Sequence, residues 1–186
     1  GTMGLPMALN LLKNGHALSF YDPFADKKTI EALTEVGAKQ ESNIPDLCKS
    51  QDFLISMLPI GKNVKDVALG EDGIINQDNT DLIYIDMSTI LPADSIEVSK
   101  QLQTKNIQMF DAPVARLVNN AIDGTLLIMV GGSLQDFPKV EEILNCMGSD
   151  VVYCGAIGSG SKMKIINNYM AIVSNILTAE TLSLVE

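Results

Sequence analysis

The 186-residue chain has one histidine, His16, and three cysteines, Cys48, Cys146 and Cys154. One histidine is too few for a histidine-based metal centre, and no other residues show metal-ligand spacing, so no metal is expected. An odd cysteine count without a CxxC pair fits reduced thiols in a reducing compartment, so a cytoplasmic location is expected. No apolar run reaches the ~18 residues a membrane span needs, and no signal-peptide pattern is visible. Cations are scarce: 13 Lys and Arg stand against 23 Asp and Glu, a formal net charge of -10. Such a surface repels a phosphate backbone, which argues against nucleic acid while leaving room for a local cationic pocket. Paired carboxylates and a Ser/His/Asp order are also missing.

What is present is an alternation. Apolar residues make up 46% of the chain and charged residues 19%, an ordinary globular composition. "GTMGLPMALNLLKNGH" reads as a glycine turn running into a helix with Leu5, Ala8, Leu9 and Leu12 on one face, ended by Asn14-Gly15. "ALSFYD" reads as a short strand, Ala17 to Tyr21, closed by Asp22-Pro23. Further strands are read at "DFLISMLP", "DLIYIDMS", "IQMFDAP", "TLLIMVGG" and "SDVVYCG", with helices between most of them. Apolar strands separated by helices predict an α/β domain with a mostly parallel sheet covered on both faces. From Ser161 a long helix with no glycine or proline is predicted through the last residue, with Met163, Ile166, Met170 and Val173 on a wide apolar side. The division expected is a Rossmann-like domain over 1–158 and the start of an interdomain helix over 159–186.

Three places carry candidate chemistry. Gly1-Thr2-Met3-Gly4 matches the last four positions of the dinucleotide fingerprint G-x-G-x-x-G, whose first strand and first glycine would precede Gly1. The helix that follows would offer free N–H groups to a pyrophosphate. A plain N-cap turn has the same appearance. Asp22, at the end of the next strand, is placed to hold ribose hydroxyls and to repel a 2′-phosphate, favouring NAD over NADP; an Asp-Pro turn is its bland alternative. "SMLP" (with Leu58 and Pro59) and "DMST" (with Ser88 and Thr89) follow buried strands, where parallel sheets bind ligands.

Third, Lys164 and Asn168 are four apart, and Asn167 is three from Lys164, so the three share one helix side. An ammonium beside two amides can protonate a carbonyl oxygen as hydride reaches its carbon. A solvated Lys162/Lys164 pair is the alternative. His16 and the cysteines read as structural.

Taken together, GTMGLPMALNLLKNGH, SMLP, DMST, DAPV, DGTLLIMVGG and GSGSKMKIINN resemble the β-hydroxyacid dehydrogenase, or 3-hydroxyisobutyrate dehydrogenase, family over almost the whole chain. The resemblance implies a Rossmann-like domain binding NAD(H) through Gly1, Thr2, Met3, Gly4, Asp22, Leu58, Pro59 and Thr89. It implies an all-helical second domain, most of it beyond Glu186, that drives homo-oligomerisation. It also implies Lys164 as the catalytic lysine, with Asn168 its helix companion. The common form Asp-Ala-Pro-Val-Ser-Gly-Gly is here Asp111-Ala-Pro-Val-Ala115-Arg116-Leu117. Arg116 in that place is similar to the sulfolactaldehyde reductase branch, where the arginine and Asn167 would grip a sulfonate, with Ser88 and Ala115 beside the substrate. That branch often has a serine where this chain has Ala171. The expected activity is NADH-dependent reduction of a small anionic aldehyde, a sulfonate first and a succinic-semialdehyde or 3-hydroxyisobutyrate type of carboxylate second. A structural ion pair of Arg116 with Asp123, and a non-catalytic nucleotide-binding protein, are the competing readings.

Overall fold

The structure, a computed structural model, describes residues 1–184; the last two residues of the predicted 159–186 segment lie outside the described residues. The glycine turn enters helix α1 (Gly4–Lys13), which buries Pro6, Met7 and Leu11 and stops where Gly15 takes φ +88°. Strand β1 (Ser19–Phe20) pairs in parallel with β2 (Lys39–Gln40), separated by α2 (Lys27–Thr34). Asp26 caps α2 by accepting from the Thr29 N–H at 2.8 Å, satisfying one of its free first-turn donors. After α3 (Ile44–Cys48) come β3 (Phe53–Ser56), α4 (Gly61–Leu69), β4 (Ile83–Asp86), α5 (Pro92–Gln103) and β5 (Gln108–Asp111).

The expected parallel arrangement holds across β3, β4 and β5. The chain then continues into β6 (Val114–Ala115), the short helix α6 (Val118–Asp123), β7 (Leu126–Gly131), α7 (Phe137–Leu144) and β8 (Gly148–Gly155). β7 and β8 are again parallel to each other. Between the two blocks the direction reverses. β7 is antiparallel to β6, and it meets β5 antiparallel at one pair, Asp111 opposite Gly131. The sequence reading missed β6, α6 and this reversal, because "VARLVNNAIDG" is too short to show either period.

Both sheet faces are covered, and the period of two sorts the strand residues between them. Ile85 and Phe110 join Met7, Val130, Val140 and Leu144 in one cluster. Their neighbours Tyr84 and Met109 join Cys48, Ala68, Val98 and Leu102 in the other. Burial pushes the Cys48 thiol up to about 11, so it is an inert part of that core. Across the first cluster, buried Asn10 of α1 donates from Nδ2 to the Ala121 carbonyl of α6 at 2.7 Å.

The last helix, α8 (Ser159–Ser183), packs over β5, β6, β7 and β8 through its first turns. Among the described residues no helix is long and apolar enough to cross a membrane.

Asn10→Ala should lower the stability by about 1–3 kcal/mol, since it strands the buried Ala121 carbonyl. A denaturant titration with unchanged slope and a lower midpoint checks this.

Candidate active site

The loops that leave β3 and β4 are laced together by a buried carboxylate. The Leu58 N–H donates to Ser88 Oγ at 2.8 Å, and Ser88 Oγ donates to Asp86 Oδ1 at 2.6 Å. Ser56 Oγ donates to the same Asp86 oxygen at 2.7 Å. The Ser56 proton being committed, the 2.7 Å contact between Tyr84 and Ser56 has the tyrosine as donor. Asp86 Oδ2 is buried without a partner among the described residues, and burial raises this carboxyl above the ordinary range. The Ser88 hydroxyl therefore orders the two loops from beneath. Pro59 and Thr89 are exposed beyond it, and Leu58 is half-buried.

At the end of β5 a second buried acid meets the start of α8. Asp111 Oδ1 accepts from the Gly158 N–H, and Oδ2 from the Ser161 N–H, each at 2.7 Å. The carboxyl is 1% exposed, and burial pushes it up to about 6 despite these bonds. The helix backbone lies against the sheet here. A Cβ on Gly160 would strike the Met129 carbonyl and sit 2.6 Å from the Asp111 carbonyl oxygen.

One side of α8 continues from this joint: Gly160, Ser161, Lys164, Asn167 and Asn168 recur at helical spacing. The first two are buried and the last three half-buried. From Lys162 to Leu184, every residue outside that trio is exposed except Val173. The apolar side read from the sequence is turned outward, with Ile166 56% and Met170 58% exposed. Burial lowers the Lys164 ammonium below the ordinary lysine range. Among the described residues no side-chain hydrogen bond occupies Lys164, Asn167 or Asn168, so all three keep donors for a ligand.

The strand β6 that α8 crosses carries Ala115, which is buried, and leads directly into Arg116. Arg116 takes φ +81°, a left-handed conformation unusual for a side chain without local hydrogen bonding. Its guanidinium is held on three sides. Nη1 donates to the Thr125 carbonyl at 2.5 Å and to Ser149 Oγ at 2.9 Å, and Nη2 to Asp150 Oδ2 at 2.6 Å. The acid at Arg116 is thus Asp150, not Asp123. Three of its five donors are used, which leaves Nε–H and one Nη2–H without a partner among the described residues.

The glycine turn and Asp22 lie together, the Gly1 nitrogen 3.4 Å from Asp22 Oδ2. Thr2 is exposed and Met3 half-buried in the turn. A Cβ on Gly4 would meet nothing within 4 Å. Asp22 Oδ1 accepts from the Phe24 N–H at 2.9 Å, which orients the carboxylate. Beside it a cavity of about 380 Å³ is lined by Tyr21, Asp22, Gln40, Glu41 and Ser42 among others.

Residues 1–155 match the NAD binding domain of 6-phosphogluconate dehydrogenase. The chain belongs to this family. It is 41% identical over 186 residues to 3-sulfolactaldehyde reductase of Escherichia coli, covering all of this chain and 62% of that protein. It is equally 41% identical over 184 residues to the mitochondrial 3-hydroxyisobutyrate dehydrogenase of Rattus norvegicus, covering 99% of this chain and 54% of that one. A solved structure of Mycobacterium tuberculosis 3-hydroxyisobutyrate dehydrogenase with L-serine superposes with a TM-score of 0.91 at 30% identity, over 99% of this chain and 62% of the other. The chain thus spans between half and two thirds of these relatives' length.

An NAD binding domain needs donors for a pyrophosphate and an acceptor for ribose, and both are here. In the first turn of α1 the Leu5 N–H donates to the Gly1 carbonyl at 3.0 Å and the Met7 N–H to the Met3 carbonyl at 3.4 Å, and Pro6 has no N–H, so the donors open to an anion are those of Thr2, Met3 and Gly4. Asp22 and Glu41 both line the neighbouring cavity, and Glu41 is paired with Lys39 at 2.7 Å. Glu41, Asp86 and Asp111 went unassigned in the sequence reading. An acid closing an apolar strand, as in "YIDM" and "MFDA", was the available signal for the last two.

Asp22→Ala should weaken NADH binding about tenfold and narrow the preference over NADPH. Fluorescence titration with both dinucleotides checks it; an unchanged ratio of the two affinities would remove Asp22 from cofactor selection.

Proposed function

We propose that this protein is an NADH-dependent reductase of small anionic aldehydes, with 3-sulfolactaldehyde, reduced to 2,3-dihydroxypropane-1-sulfonate, as its substrate. The observation that carries the reading is the polar strip Lys164–Asn167–Asn168, half-buried on the helix that contacts β6, the strand that leads into Arg116. Polar donors turned toward a domain, with apolar neighbours turned away, incur a desolvation cost that a bound polar ligand offsets.

The bound dinucleotide supplies the hydride. Lys164 donates its proton to the carbonyl oxygen as negative charge grows there, and its partial burial makes it a stronger acid than an exposed lysine. Asn168, one turn further along the same side, donates to that oxygen and fixes its direction. Asn167 and the two remaining Arg116 donors hold the sulfonate away from the reacting carbon, and a guanidinium suits two oxygens of one anion. Ala115 leaves room beside them. Pro59 and Thr89 border the nicotinamide from the loops that Asp86 and Ser88 order. The outward apolar residues of α8 support an oligomer built on further helical structure.

A carboxylate substrate of the 3-hydroxyisobutyrate type is the second reading. The 41% identity to the 3-hydroxyisobutyrate dehydrogenase of Rattus norvegicus, equal to that with the sulfolactaldehyde reductase, supports it.

Arg116→Ala should lower kcat/KM on 3-sulfolactaldehyde about a hundredfold, and on succinic semialdehyde much less. An equal small loss on both would sink the sulfonate assignment. The rate of reduction should fall as pH rises through the Lys164 pKa, below the ordinary lysine range, because the proton donor is lost; the reverse oxidation should rise through the same point. Lys164→Ala should abolish that limb along with most of kcat, and a variant with parental kcat would end the catalytic assignment.

A further inference from the structure

We infer that Asp111 is a positioning residue for the reaction: from the end of β5 it clamps the first turn of α8 and so sets where Lys164, Asn167 and Asn168 stand. The inference rests on the proposed role of Lys164.

An α-helix starts with free N–H groups, and its own N-cap side chain normally accepts one of them. The N-cap of α8 is Gly158, at φ +85°, which has no side chain to offer. Asp111 takes its place from another element, one oxygen per N–H, at 2.7 Å to Gly158 and 2.7 Å to Ser161. Two bonds from one planar carboxylate fix the direction as well as the position of the helix start. Ser161 is the third residue of α8, and Lys164 follows one turn later on the same side.

The surroundings leave the joint little freedom. Gly131, opposite Asp111 in the sheet, has no room for a Cβ, which would strike Asp111 Oδ1 and lie 2.9 Å from both the Ala156 carbonyl and the Gly160 nitrogen. Gly160 is equally excluded from carrying a side chain by the carbonyls of Met129 and Asp111. On the α5 side, Ser95 Oγ and Ser161 Oγ are 3.2 Å apart. Helix and sheet thus meet backbone to backbone, with one carboxylate between them. A shift of about 1 Å at such a joint passes directly to a side chain one turn away, and misplacement of that size can cost a hundredfold in rate.

The test uses Asp111→Asn, Gly160→Ala and Lys164→Ala in the intact protein, with NADH and the aldehyde. Asp111→Asn keeps the shape but turns an NH2 toward one of the two N–H groups. It should lower kcat about tenfold or more while leaving the NADH Kd within about twofold. Amide exchange at Gly158 and Ser161 should quicken in Asp111→Asn and stay parental in Lys164→Ala. Gly160→Ala disturbs the joint from the helix side and should reproduce the loss of kcat, so the idea stays testable if Asp111→Asn does not fold. Parental kcat in either joint variant overturns the inference, as does a loss of kcat matched by a loss of NADH affinity. Unchanged exchange in Asp111→Asn, with Lys164→Ala inactive, overturns the clamp alone. Parental kcat in Lys164→Ala overturns the proposed function and, with it, the claim that Asp111 acts through Lys164.

Discussion

The contact between the β5 carboxylate and the first turn of α8 is the constraint on which the site depends. A helix packed on a sheet through side chains sits about 10 Å away and tolerates small slips. Here Gly131 and Gly160 remove the side chains, and Asp111 bonds the helix backbone directly. The acid incurs a desolvation cost, which is why burial pushes its carboxyl up to about 6. At neutral pH it remains mainly ionised, the form that accepts two N–H bonds. The clamp therefore trades some stability for a fixed helix position, as functional sites often do.

The same trade appears at β4. Asp86 is 1% exposed, and one of its oxygens accepts from Ser56 and Ser88 while the other has no partner among the described residues. Replacing such an acid with an apolar residue would relieve burial, but the Ser88 hydroxyl would lose its acceptor and Leu58 its ordered support. Two neighbouring strands thus end in buried acids, and each acid organises backbone at the sheet's carboxyl end, where ligands of this fold bind. Reaction chemistry is assigned to side chains on α8; the acids beneath decide where the surfaces around it lie.

Much of the fold is legible in the sequence because apolar strands and glycine or proline punctuation are local signals. β3, β4, β5 and β7 fall within the segments read as strands, β8 begins one residue before its segment, and α1, α2, α4, α5, α7 and α8 overlap the stretches read as helical. β2, β6 and α6 were not read: the two strands have two residues each and α6 has six, too few to show a period. The helical spacing of Lys164, Asn167 and Asn168 is local too, and the structure keeps them on one side. The partners of Arg116 and Asp111 are not local. Asp150 lies 34 positions from Arg116, and Ser161 lies 50 from Asp111. For Asp111 the partners are backbone N–H groups, which every residue but proline carries, so no residue type marks them.

In helix α8 the first turn decides which side meets the domain. Met163, Ile166 and Met170 are exposed, while the side beginning at Gly160 and running through Lys164 to Asn168 is buried or half-buried. Gly160 must face the sheet, because any side chain there would collide with the Met129 carbonyl, and Ser161 must face Asp111. Once those two residues are fixed, the rotation of a rigid helix is fixed, and the residues three and four positions on are turned toward the domain whatever their polarity. Two tight backbone contacts at the start of α8 therefore set which of its sides faces the sheet and which side, the apolar one, is left for further packing.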